Sequence, residues 1–347
     1  MSINKEFLQR DSNITAKVIC DSISESGKRI TTFELEYPRY IHCELLTHRM
    51  LSKNCSSSRA IPIEKMLGYI ENNMAVPVYL GRNKSGMQAV EEIEDKEPAL
   101  RFWKNSFTGV KSTVNLLTKL GLHKQIANRL TEPYQMMKVV VTATEWDNFF
   151  NLRIDKDAQP ELVMLADKMF NAMQGSTPKI LKAGQWHLPY VETYEVEDVE
   201  RNASENEQYY FLPDSADYNA GIEFSLADAI KISVASCAAV SYRTENMTLV
   251  KADKIFDMLI NAENLHSSPF EHVAKPIVDE DLYSIDYTNP DLQTRVKNTL
   301  STAKGVTHIN NKGDLCSGNF IGWIQYRHLL NNNTCNNFDY NNRMKSF

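Results

Sequence analysis

The spacing of apolar positions marks out elements of two periods. In Thr31-Thr32-Phe33-Glu34-Leu35-Glu36 apolar and polar residues alternate, as on a half-buried strand. Residues 14–20 are also β-rich, and Ser24-Glu25-Ser26-Gly27 predicts a turn, so 14–36 reads as a hairpin. Pro38 suits the first turn of a helix running to about Leu51. Residues 52–62 have no apolar period and read as a loop. Helices are predicted over 64–73 and 99–131, separated by the Gly-rich 81–86 and an acidic run at 91–97 that reads as a solvated helix face. Val139-Val140-Val141-Thr142 predicts a strand within 137–143. Thr144, with Asp147 three positions on, predicts a capped helix start. After Pro160, Leu162, Ala166, Met169, Phe170 and Met173 fall on one face of a long helix.

The pattern then stops. Residues 196–208 are polar and acidic and read as a linker, giving domains at 1–195 and 209–347. The second domain shows an apolar stretch at 224–242, a helix at 249–263, a turn at Ser267-Ser268-Pro269 and an apolar element at 319–330. The Asn-rich 331–342 reads as a surface segment.

Composition narrows the function. At 347 residues the chain has room for two domains, and 42% hydrophobic with 24% charged residues is an ordinary globular mix. A net charge of −6 disfavours a nucleic-acid partner while allowing a local basic pocket for one phosphate. No run of 18 apolar residues occurs, so no membrane partner is expected. The stretch MSINKEFLQRDSN lacks the apolar core of a signal peptide. Cys20, Cys43, Cys55, Cys237, Cys316 and Cys335 are scattered, without Cys-x-x-Cys or zinc spacing. This reads as reduced thiols in a cytoplasm, with no metal.

Dinucleotide, Walker, nucleophile-elbow and zinc-protease signatures are missing. Three other places stand out. Residues 47–59 carry a histidine, two arginines and four serines where a helix passes into a loop, either a phosphate cradle or a capped helix followed by a polar loop. Arg129 precedes Leu130-Thr131-Glu132-Pro133, and such an arginine ordinarily answers a helix dipole or a surface carboxylate. Asn148-Phe149-Phe150-Asn151-Leu152-Arg153 mixes polar and aromatic residues, as a nucleotide pocket or a plain amphipathic helix would.

Taken together, the three places resemble the flavin-dependent thymidylate synthases (ThyX). Of that family's Arg-His-Arg-x-x-Ser-x-Asn-Glu-x-Ser-x-Arg signature, the chain matches His48, Arg49, Ser52, Asn54, Ser57 and Arg59. It departs at Thr47, where the family has Arg, and at Cys55, where it has Glu. Arg129 with Pro133 matches the family's Arg four residues before a Pro. Asn148, Phe149, Leu152, Arg153, Ala158, Gln159 and Glu161 match its Asn-Phe-x-x-Leu-Arg-x-x-x-x-Ala-Gln-x-Glu segment. In the second domain Cys237-Ala238-Ala239-Val240-Ser241-Tyr242 resembles a strand, and His266-Ser267-Ser268-Pro269-Phe270-Glu271-His272 a turn, that precede the signature in ordinary members. Residues 320–328 resemble the lead-in 40–49, which points to an internal duplication.

The resemblance implies an α+β fold of two related ThyX-like halves. It implies an FAD enzyme making dTMP from dUMP, with methylenetetrahydrofolate and NADPH as co-substrates and sites between subunits, here in a homodimer or higher homo-oligomer. Thr47, His48, Arg49, Asn148 and Ser268 would then face FAD. Glu44, Ser57, Ser58, Arg59 and Arg129 would hold the nucleotide, and Arg153 would polarise the pyrimidine. Thr47 removes a cation that Arg327 of the second half would replace. Glu44 stands where the family has Gln, which brings in a dCMP methylase or hydroxymethylase as an alternative. A non-catalytic nucleotide-binding subunit is the third reading. The other thymidylate synthase class has a Pro-Cys-His motif, absent here, so Cys55 reads as a free buried cysteine.

Overall fold

The computed structural model describes residues 5–86, 89, 91–195, 208–211, 224–241, 247–262, 265–278, 304–335 and 338–344. The chain forms two compact units, residues 1–181 with 236–246, and residues 182–235 with 247–347. The expected linker lies outside the described residues except for Gln208, which begins a strand.

The first unit is α+β. Strands β1 (Thr15–Ser24) and β2 (Arg29–Pro38) form the expected hairpin. Gly27 sits in its turn at φ +79°, a conformation that costs glycine little. Strand β3 (Ser52–Cys55) pairs antiparallel with β4 (Met136–Ala143), which lies antiparallel along β2, while β5 (Lys179–Leu181) runs parallel to β1. The sheet order is β3-β4-β2-β1-β5.

Side chains alternate on this sheet. Phe33, Leu35 and Tyr37 of β2 and Val139 and Val141 of β4 share one core with Leu162, Leu165, Ala166 and Met169 of a helix over Pro160–Gln174. All nine are fully buried, and each large one contributes roughly 1.5–3 kcal/mol by leaving water. Pro160 begins that helix, where its missing N–H costs nothing.

Five expectations change. The helix after Pro38 is a 3-10 turn, Arg39–Ile41, followed by α1 (His42–Leu46). It ends early because Thr47, at its C-cap, turns its hydroxyl back to donate to Glu44 O at 2.7 Å. Residues 52–55 form strand β3 rather than loop; its inward side chains, Ser52 and Asn54, are polar, and Asn54 Nδ2 donates to Cys237 O at 3.2 Å. The long helix α2 (Lys96–Lys119) stops before Gly121, at φ +85°, and 124–134 forms short helical turns. The acidic run lies mostly outside that helix, and Glu92 is a half-buried clasp, accepting from Arg10 at 2.8 and 2.7 Å and pairing with Lys96. Those bonds, Arg10's foremost, hold the Glu92 carboxyl down at about 2. Finally, α3 (Asp147–Arg153) starts after Trp146, with no side-chain cap from Thr144.

In the second unit, Ala229, Ile232 and Val234 share a core with Phe256 and Phe270. The first three belong to α4 (Leu226–Ala238), and Phe256 to α5 (Leu249–Ile260). Residues 239–241 continue α4 as a 3-10 turn rather than a strand, and they belong to the first unit. The stretch 320–328 is strand Phe320–Ile321, strand Trp323–Gln325 and a 3-10 turn from Tyr326. The lead-in that 320–328 resemble is helical over 40–46, where 320–325 are mostly strand. Among the described residues no helix is long and apolar enough to cross a membrane, and none of the six cysteines forms a disulfide.

Candidate active site

Two segments of the first unit bring the central residues together. Arg153 is the last residue of α3, where a cation suits the helix's negative end. Aromatic contacts seat that helix: Trp146 packs edge-on to Phe33 at 5.0 Å, and Phe150 edge-on to Phe170 at 5.3 Å. From there Arg153 reaches the end of α1. Its Nε donates to His48 Nε2 at 2.7 Å, its Nη1 to Glu44 Oε2 at 3.3 Å and its Nη2 to Thr47 Oγ1 at 3.3 Å. The guanidinium side chain is 18% exposed and Glu44 35%, so the pair is partly shielded yet open to a ligand.

His48 is fixed on three sides. Phe149 meets its ring edge-on at 4.9 Å, Lys53 Nζ donates to its carbonyl at 2.6 Å, and Arg153 takes Nε2. Partial burial, then the charges of Arg153 and Lys53, push its pKa down to about 4. The ring is therefore neutral at pH 7, and accepting at Nε2 places its proton on Nδ1.

The serine loop forms a second centre. Ser57 N donates to Ser241 Oγ at 2.8 Å. One oxygen of Glu132, Oε1, receives Ser58 Oγ at 3.3 Å, Arg129 Nη1 at 2.9 Å and Arg39 Nη2 at 3.2 Å. Arg129 thus answers a carboxylate, the plainer of its two sequence readings. Arg59 is exposed without an ion pair among the described residues. Sequence reasoning missed Arg39 and Glu132; Glu132 was visible only as an acid three residues after Arg129, a spacing that pairs side chains on a helical turn.

The remaining candidates are placed singly. Arg49 and Asn148 are exposed and flank His48 and Phe149 in sequence. Ser268 is exposed at the start of a 3-10 turn of the second unit whose Pro269 and Phe270 are buried. Arg327 does not stand free to replace the missing cation, because it is ion-paired with Glu271 in its own unit. Cys55 is half-buried, its Sγ 3.5 Å from His42 Nε2, whose Nδ1 lies 2.8 Å from the Tyr37 hydroxyl. Burial raises the Cys55 thiol and lowers His42 to about 4, so the pair is a neutral contact and not a thiolate nucleophile.

The sequence of this region matches a known model. Residues 29–179, from β2 to the start of β5, match the family described as thymidylate synthase complementing protein, Thy1. Over that stretch the sequence is similar to the Thy1 family. Over 152 residues the chain is 27% identical to a flavin-dependent thymidylate synthase of Thermosipho melanesiensis, covering 43% of this chain and 65% of that relative's length. Among solved structures it is similar to the UMP/dUMP methylase PolB from Streptomyces cacaoi bound with 5-Br UMP, at 17% identity and a TM-score of 0.41, over 48% of this chain and 90% of that one. The same enzyme bound with 5-Br dUMP gives a TM-score of 0.40. Both principal clusters, around Arg153 and around Glu132, fall inside the Thy1 segment.

Proposed function

We propose that this chain is a flavin-dependent thymidylate synthase. It would methylate dUMP at C5 to dTMP, with methylenetetrahydrofolate as carbon donor and NADPH as reductant. The observation that carries the reading is Arg153, a guanidinium held at Nε by a neutral histidine and left partly exposed between Glu44 and Thr47. A cation fixed this way stabilises negative charge developing on N3 and O2 of a pyrimidine as its C5 becomes nucleophilic. It does so without having to reorganise when the charge appears.

Ser57, Ser58, Arg59 and Arg129 are the donors for the nucleotide's phosphate and sugar. Arg129 is already paired with Glu132, so a phosphate oxygen takes the position of that carboxylate oxygen. For FAD, the residues present fit. Arg49 is an unpaired, exposed cation, Asn148 an exposed amide, and the buried Trp146 indole N–H has no acceptor among the described residues. Leu46, Met50 and Leu152, which flank these residues in sequence, are exposed apolar side chains suited to a flat ring. Thr47, His48, Arg49 and Asn148 would hold the cofactor, and the flavin would supply the reducing chemistry that the side chains lack. We read the assembly as a homodimer or higher homo-oligomer.

Glu44 favours one second reading. A carboxylate 3.3 Å from Arg153 accepts a hydrogen bond from an exocyclic amine, which cytosine has and uracil lacks, so a dCMP C5 methylase or hydroxymethylase is the alternative. The visible spectrum of the purified protein, with an FAD titration and tritium release from 5-tritiated dUMP and dCMP, tests both. Flavin absorbance with release from dUMP supports the synthase, and release from dCMP alone supports the alternative. A colourless protein without FAD affinity refutes both and leaves a non-catalytic nucleotide-binding subunit.

A further inference from the structure

Among the described residues Glu161 is the only Asp, Glu, Lys or Arg buried as a whole residue, at 2% exposed. A buried carboxylate is costly unless a cation or several hydrogen bonds receive it. Glu161 has no ion pair among the described residues. Its partners are three neutral donors: the Tyr40 hydroxyl reaches Oε1 at 3.3 Å, Val78 N–H the same oxygen at 3.0 Å, and Gln159 Nε2 reaches Oε2 at 2.8 Å. Burial, then the adjoining Glu161 charge, raises the pKa of the Tyr40 hydroxyl, so the phenol keeps its proton and is the donor. Glu161 also lies in the first turn of the helix over Pro160–Gln174, whose positive end suits it.

The bond to Tyr40 falls at a matched place in the chain. Tyr40 stands eight residues before His48, and Glu161 eight residues after Arg153. Arg153 Nε bonds His48 at one end of these two segments, and Tyr40 bonds Glu161 at the other. Segments 40–48 and 153–161 are therefore tied at both ends. Between the ties lies α1, which carries Glu44 and leads into Thr47, the other two groups that Arg153 meets. At five residues α1 is too short to hold a direction by itself. Ile41 and Leu45 bury one side of it in the core, which sets its depth, but apolar burial is non-directional. The tie at Tyr40 fixes the end of α1 that Arg153 does not reach.

We propose that Glu161 is a positioning residue for the Arg153 cluster, holding α1 through Tyr40 so that Glu44, Thr47 and His48 meet the guanidinium. Its effect on rate rests on the reading of Arg153 as the group that polarises the pyrimidine; its effect on position does not.

The test is an NMR titration of the His48 ring in the full chain, beside tritium release from 5-tritiated dUMP at saturating nucleotide. Partial burial and the charges of Arg153 and Lys53, which face the ring, lower its midpoint, so the midpoint reports where α1 sits. Tyr40→Phe removes the hydroxyl and keeps the aromatic ring against Trp103. In this variant the His48 midpoint should rise from near 4 toward 6.5, and kcat should fall about tenfold or more, as misplaced groups lose rate steeply. Glu161→Ala should do the same. Glu161→Gln keeps an oxygen to accept from Tyr40 and Val78, and should bring both readouts back close to wild type. Asp21→Asn, which weakens the Arg29 ion pair of the hairpin, should lower Tm and leave the His48 midpoint in place, so lost stability is not mistaken for lost position. A His48 midpoint that stays near 4 in Tyr40→Phe, or that already lies near 6.5 in the wild type, overturns the proposal. A midpoint that shifts as expected in a chain that releases no tritium supports the positioning role and refutes the pyrimidine chemistry instead.

Discussion

Replacing Arg153 with alanine separates a catalytic role from a structural one. The substitution removes bonds of 2.7 Å to His48 and 3.3 Å to each of Glu44 and Thr47. The partners left behind are not stranded: Glu44 is 35% exposed and Thr47 lies at the surface, so water takes over both. Only the His48 bond is partly shielded, and such a bond nets about 0.5–1.5 kcal/mol. With an ion pair of this exposure adding about 0–1 kcal/mol, the stability loss is roughly 1–2 kcal/mol, or a few degrees in Tm. Turnover should suffer more. Losing one preorganised donor to a developing anion costs about 10²–10³ in rate, some 2.7–4 kcal/mol of transition-state stabilisation. Arg153→Lys keeps the charge but cannot serve three acceptors from one planar fork, so most of the loss should remain. Tritium release at saturating nucleotide gives the rate, and a melting curve on the same preparation gives the stability. Near-normal turnover in Arg153→Ala would refute the reasoning, as would a rate loss matched by the fraction unfolded.

Glu44→Gln should shift the ratio of kcat/KM toward uracil over cytosine nucleotides by about tenfold or more, since the carboxylate acceptor for an amine is weakened; an unchanged ratio removes Glu44 from base selection. The His48 ring should titrate near 4 by NMR, against an ordinary 6.5. Because its folded pKa is lowered, the stability it contributes is complete above 6.5 and is lost as pH falls from there toward 4. Protonation also ends its ability to accept from Arg153, so activity should carry an acid limb near 4, and an NMR titration centred near 6.5 would sink this account.

The hairpin and β4 were legible because one face of each is apolar: Phe33, Leu35, Val139 and Val141 alternate with residues of the other face. Strand β3 was not, because its inward residues, Ser52 and Asn54, are polar and satisfied by hydrogen bonds that only the fold supplies. The same reason hid the early end of α1, where one hydroxyl bond from Thr47 outweighs a continuing apolar pattern. For the site, the resemblance pointed to Glu44, Thr47, His48 and Arg153, and the structure brings these four together. It gave no sign of Arg39 or Glu132, which only the fold brings together with Ser58 and Arg129.

The assignment of residues 236–246 to the first unit sets a timetable for the nascent chain. Synthesis runs from the N-terminus at about 5–20 residues per second. When Leu181 emerges, every strand of the main sheet exists, yet Cys237 and Ser241, which bond Asn54 and the serine loop, do not. About 60 residues separate Leu181 from Ser241, so the sheet waits roughly 3–12 s for its last segment. During that interval the Asn54 amide and the Ser57 N–H lack the acceptors that Cys237 and Ser241 supply. A gene truncated after Leu181 makes that unfinished state permanent, so one N–H of the serine loop is satisfied only by sequence that lies beyond the first unit's last strand.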